Sequence, residues 1–92
     1  MQITHDREGL RFIAANDDGE MMGEIAYEPN GGILSATHTL TDSRFRGQGI
    51  AAKMLDALAD YARKNGFKIR PVCSYVVTAF EKKPEQYRDV ME

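Results

Sequence analysis

The chain is poor in cysteine, in long apolar runs and in charge of one sign. Cys73 is its one cysteine, so no intrachain disulfide can form. No stretch approaches the roughly 18 apolar residues of a membrane span. The opening Met1-Gln2-Ile3-Thr4-His5-Asp6 lacks the basic-then-apolar layout of a secretory signal. These features predict a cytoplasmic protein that does not engage a membrane. The net charge is only −2, and the basic residues lack the interleaved aromatics of a nucleic-acid surface. His5 and His38 lie far apart with no paired ligand residues, which predicts no metal site.

A chain of 92 residues predicts one domain spanning 1–92. At this size roughly 60–65% of the unfolded surface is buried, enough for one modest core. Hydrophobic residues at 42% exclude a disordered chain. The charge is unevenly spread. Residues 1–32 carry seven acids and two bases, Arg7 and Arg11. Between Arg44 and Arg70, seven bases face only Asp56 and Asp60. That basic surplus brackets Arg44-Phe45-Arg46-Gly47-Gln48-Gly49 and suits either a solvated helix face or an anionic ligand.

Hydrophobic period supplies the elements. Leu10–Ala15, Met21–Glu28 and Ile33–Thr41 read as strands, separated by turns at Asn16-Asp17-Asp18-Gly19 and Pro29-Asn30-Gly31-Gly32. Met21, Ile25 and Tyr27 are expected on one face of the second strand, with Met22 and Ala26 on the other. Gly49–Asn65 carries Ile50, Ala51, Met54, Leu55, Leu58, Ala59 and Ala62, the stripe of an amphipathic helix. Asn65-Gly66 stops it. Phe67–Cys73 reads as a fourth strand, with Pro71 hinting at an edge or bulge. Ser74 is a candidate cap for a helix from Tyr75 to Lys82. Pro84-Glu85 suits a last short helix to about Met91.

The glycine-rich loop joins a strand to the long helix. Glycines let a ligand approach main-chain N–H groups, and a helix start adds unpaired donors and partial positive charge, a combination that holds phosphate. A tight turn that needs glycine for itself is the alternative. Gly47-x-Gly49-x-x-Ala52 also imitates the dinucleotide fingerprint, but the following strand ends in Arg70, Pro71 and Cys73 rather than the acid that would hold a ribose. No Gly-Lys-Ser/Thr follows, so the Walker pattern is absent.

Arg44-x-x-Gly47-x-Gly49 followed by Ile50-Ala51-Ala52-Lys53-Met54-Leu55 resembles the acetyl-CoA-binding motif of GNAT-type N-acetyltransferases. His38-Thr39, Pro71-x-Cys73-Ser74-Tyr75 and Pro84-Glu85-x-Tyr87 extend the resemblance over nearly the whole chain, to a minimal GNAT-like family of about this length. The resemblance implies an α+β fold, a mostly antiparallel sheet whose last strands splay around the cofactor, with two or three helices. It implies acetyl-CoA or CoA as cofactor. The binding residues would be Thr39, Leu40 and Thr41 at the strand end and Arg44, Arg46, Gly47, Gln48, Gly49, Ile50 and Ala51 in the loop and helix start. The early helices that usually shape an acceptor site have no counterpart in this sequence.

Cys73 stands between a strand end and a helix start, where a thiolate is stabilised. As an isolated residue it would equally suit a small buried hydrophobe. The resemblance places it near the acetyl thioester. His38 is expected to share a strand face with Ala36 and Leu40. Two routes stay open: direct transfer with His38 as base, and a covalent acetyl-Cys73 intermediate. Tyr75 and Tyr87 are candidate acids toward the leaving thiolate or, alternatively, plain core or surface aromatics. The sequence therefore predicts a monomeric or weakly dimeric acetyltransferase acting on an unidentified amine. The alternatives are a CoA-binding module without turnover and a small interaction protein.

Overall fold

A computed structural model describes all 92 residues. Five strands form one sheet in the order β1 (Gln2–Asp6), β2 (Arg11–Ala15), β3 (Met21–Asn30), β4 (Ile33–Thr41) and β5 (Lys68–Pro71). Successive strands from β1 to β4 pair antiparallel, and β5 joins β4 in parallel. A parallel neighbour needs a crossover, and α1 (Ile50–Asn65) supplies it. Two short helices follow, α2 (Ser74–Lys82) and α3 (Pro84–Tyr87). No helix is long and apolar enough to cross a membrane.

The β2–β3 turn forms because the Asn16 side chain accepts from the amides of Asp18 and Glu20, while Gly19 takes φ 82°. The helix α1 begins and ends on glycines, Gly49 and Gly66, each in the left-handed region at φ 72°. It buries Ile50, Met54, Leu55, Leu58, Ala59 and Ala62 against Phe12, Ala14, Ile25, Tyr27, Leu34, Ala36 and Ile69 of the sheet. Each fully buried leucine in that layer contributes about 1.5–3 kcal/mol. The opposite sheet face, which includes Arg11, Ile13, Glu24, Ala26, His38 and Leu40, stays half-buried or exposed.

Two bulges break the alternation expected from the sequence. Ala14 pairs with Gly23 and Ala15 with Met21, so Met22 is an extra residue that turns inward. Met22, Ile25 and Tyr27 are therefore all buried, while Met21 is exposed. In β4, Ala26 pairs with His38 and Tyr27 with Ala36, leaving Thr37 as the extra residue. Side chains beyond Thr37 consequently change face.

The strand β1 escaped the sequence reading because Ile3 is its one aliphatic residue among polar alternates. His5 supplies the other inward contact. Its ring stacks on Phe12 at 4.1 Å, meets Tyr61 edge-on and places Nε2 2.6 Å from the Tyr27 hydroxyl. The chain end also differs from expectation. The helix α3 stops at Tyr87, and the Ile69 amide donates to the Val90 carbonyl while the Glu92 amide donates to Ile69. That bridge covers the outer edge of β5, so the last residues extend the sheet rather than a helix.

Burial, reinforced by the charge of Arg7, holds the His5 imidazole below its ordinary 6.5. The unfolded chain takes up this proton as pH falls through 6.5, and the fold does so only at lower pH. Stability from this group is thus complete above that value and declines below it. The melting temperature is expected to drop between about pH 7 and pH 5.5. His5→Phe, which keeps the stacked ring, should flatten that part of the profile in a calorimetric pH series.

Candidate functional site in the gap between β4 and β5

The parallel pairing of β5 with β4 ends at Ala36–Pro71. The amides of Val72 and Cys73 then both donate to the same Ala36 carbonyl, at 3.2 and 2.9 Å, and the chain turns away into α2. Beyond Ala36, β4 therefore keeps β3 on one side and no strand on the other. The expected splay is this gap, alongside residues 37–41.

The loop stands at the open end of the gap. Asp42 accepts from the Arg44 amide and starts a 3-10 turn at Ser43–Phe45. Gly47 and Gly49 then take φ 84° and 72°, a region other residues enter only at a cost. Nothing lies within 4 Å of where a Cβ on either glycine would stand, so both face open space. The first intrahelical bond of α1 runs from the Lys53 amide to the Gly49 carbonyl, which leaves the amides of Ile50, Ala51 and Ala52 without acceptors. Thr41, Phe45, Arg46, Gly49, Ala51 and Tyr75 line a cavity of about 220 Å³ over these amides.

The sequence candidates separate into groups here. The side chain of Ile50 is buried, so only its amide faces the groove. Arg46 and Gln48 are exposed, and Arg46 has no ion pair. Arg44 is held instead by Asp42 and Glu20, with Nη1 2.9 Å from the Glu20 carboxylate, and it faces a neighbouring, larger cavity of about 610 Å³. Arg44 pulls the Asp42 carboxyl below its usual range, and the hydrogen bond from Asn16, with Arg44 second, does the same for Glu20. Arg46, more than Arg44, is the free cation at the groove.

Cys73 is the N-cap of α2, one position earlier than the serine the sequence suggested; both Val76 and Val77 amides donate to its carbonyl. Its half-buried thiol lies 3.2 Å from the Thr39 hydroxyl across the gap. His38 does not join them. The extra residue Thr37 puts Thr39 on the face of Ile25, whereas His38 pairs with Ala26 on the uncovered face, away from Ala36. Leu40 projects there too and is half exposed. A strict two-residue period could not reveal this, because the bulge depends on pairing with β3.

Two residues beside these candidates were missed or undervalued. Glu24 of β3 places Oε2 3.5 Å from His38 Nε2. Tyr75 closes the groove over the loop, and burial raises its phenol above the ordinary range, which keeps the hydroxyl protonated.

The sequence profile of the GCN5-related N-acetyl-transferase family matches residues 11–90. This chain belongs to the GCN5-related N-acetyltransferases. It is therefore an acyltransferase by family. The solution structure of a GCN5-like protein from Staphylococcus aureus is similar over 99% of this chain and 87% of that one, with a TM-score of 0.79 and 28% identity. The fold recurs in the GNAT protein YhbS of Escherichia coli, solved in complex with CoA, with a TM-score of 0.62, 20% identity and coverage of 66% of this chain and 38% of that one. It recurs again in a ribosomal-protein-alanine N-acetyltransferase from Brucella melitensis, with a TM-score of 0.63, 22% identity and coverage of 78% and 59%. The acetyltransferase described here thus matches about half the length of the larger enzymes and most of the Staphylococcus protein.

Tyr87 has a structural place in this acetyltransferase. It is buried against Phe80, and its hydroxyl donates to Asp56 of α1 at 2.7 Å. Burial and the Asp56 charge push its phenol far above the ordinary range. The bond ties α3 to α1 and directs the hydroxyl at a carboxylate, which suits an anchor better than an acid. Tyr87→Phe is expected to cost about 1–3 kcal/mol in a denaturant melt, as for a hydrogen bond to a charged group. Residual transfer, measured well below the melting temperature, should stay near that of the parent.

Proposed function

We propose that this acetyltransferase binds acetyl-CoA in the gap between β4 and β5 and transfers the acetyl group to an amine, acting as a single domain. The observation that carries the reading is the groove at the open end of the gap. Three acceptor-free amides, two glycines facing open space and the unpaired Arg46 converge there. That donor set suits the pyrophosphate of CoA. The unpaired length of β4 leads inward from it and offers main-chain groups to an extended pantetheine arm.

When bound, acetyl-CoA supplies an activated thioester. His38 receives the proton of the attacking amine from the uncovered face. The N–C bond forms, the C–S bond breaks, and CoA leaves as thiolate. A second reading uses Cys73, because its thiol projects into the gap beside Thr39. In that route the Cys73 sulfur, having given up its proton, attacks the thioester carbonyl and CoA leaves as thiolate; the amine then attacks the acetyl-cysteine and the cysteine sulfur leaves. The two candidates lie on different faces of β4, so they represent separate routes rather than one dyad.

Binding and turnover are tested apart. CoA should raise the melting temperature with concentration, and added salt should weaken the effect. Arg46→Gln, which leaves the backbone alone, should reduce affinity, and Gly49→Val should abolish it by filling the groove. An unchanged melting curve at saturating CoA would contradict the cofactor reading. A panel of spermidine, lysine peptides and free N-terminal peptides then tests turnover by thiol release. Loss of transfer in His38→Gln with retention in Cys73→Ala supports the direct route, and the reverse pattern supports the covalent one. CoA binding without transfer to any amine would favour a CoA-binding module.

A further inference from the structure

Four charged or titratable side chains cross the uncovered face in a line, one from each of β1 to β4. Asp6 Oδ2 lies 3.0 Å from Arg11 Nε, Arg11 Nη1 lies 2.6 Å from Glu24 Oε1, and Glu24 Oε2 lies 3.5 Å from His38 Nε2. The strand register builds the line: Asp6 pairs with Arg11, Arg11 with Ala26, and Ala26 with His38, while Glu24 stands one step along the same face. Only 18% of the Glu24 side chain is exposed, against 52% for His38. The line thus runs from a sheltered carboxylate to an open imidazole.

We infer that Glu24 is a positioning residue that holds His38 by Nε2 and leaves Nδ1 as the atom that takes the amine proton. The inference rests on the proposed role of His38 as base. A neutral imidazole carries one N–H. A carboxylate only accepts, so its place beside Nε2 selects the tautomer with hydrogen on Nε2 and the lone pair on Nδ1. Charge balance points the same way. Asp6, Arg11, Glu24 and neutral His38 sum to −1, and uptake of one proton at Nδ1 brings the line to zero. Arg11 serves a separate purpose: bound by both carboxylates, it fixes Glu24 in place. Glu24 is the one charged group that contacts His38, with Arg11 and Asp6 behind it on β2 and β1.

The test reads the imidazole directly in the free full-length protein. Long-range ¹H–¹⁵N spectra of His38 should show almost only the Nε2–H tautomer, and Glu24→Ala should raise the Nδ1–H share several-fold. Glu24→Gln keeps the shape but offers an amide N–H as well as a carbonyl, so it should weaken the preference for one tautomer. Amide spectra of both variants establish that the sheet is intact. With the amine selected by the acceptor panel, Glu24→Ala should lower kcat on the order of tenfold and leave the KM for acetyl-CoA unchanged. A wild-type Nδ1–H tautomer, or a tautomer ratio that ignores both substitutions, overturns the inference. Full transfer in His38→Gln would instead overturn the base reading on which it rests.

Discussion

The Ala36 carbonyl accepts from two successive amides, Val72 and Cys73, and the rest of the site depends on that shared bond. One residue of β4 thereby terminates a parallel ladder. Pro71, the last paired residue of β5, has no amide to give, and the next two converge on the same acceptor. The chain cannot continue alongside β4 and enters α2 instead. Residues 37–41 of β4 are left with one free edge, although β4 is an interior strand of the sheet. An unpaired edge is normally a liability. Here it runs from the glycine loop toward Cys73, where an extended ligand can use it.

The bulge at Thr37 acts beside that opening. It turns Thr39 toward the thiol of Cys73 and His38 toward the face that no helix covers. His38 and Thr39, adjacent in β4, thus face opposite sides of the strand, with Cys73 on the Thr39 side. The strand separates the side that bears the Cys73 thiol from the face that no helix covers. The line from Asp6 to His38 occupies the open side, and its acids fit the acidic character of the first 32 residues. The uncovered face is thus an electrostatic surface as well as an exposed one.

Much of this was legible in the sequence where local rules decide. The turn at Asn16–Gly19, the helix between two left-handed glycines and the tight glycine loop ahead of it follow from residue types and period alone. Positions set by pairing were not legible. The face of His38 depends on an extra residue opposite β3, and the burial of Met22 depends on one opposite β2. The strand β1 was missed because half of its inward contact is a histidine that packs as an aromatic. Arg44 fits a loop motif, yet Asp42 and Glu20 claim its guanidinium. Glu24 carried no local signal at all, since its partners come from β2 and β4.

The most direct test of the account is an amide chemical-shift map of the protein titrated with acetyl-CoA. Occupation of the gap predicts the largest changes along residues 37–41, at Arg46 to Ala52, and at Cys73 and Tyr75, with β1 and the far end of α1 unmoved. Shifts confined to the uncovered face around Arg11 and Ile13, or the absence of shifts at saturating acetyl-CoA, would contradict it.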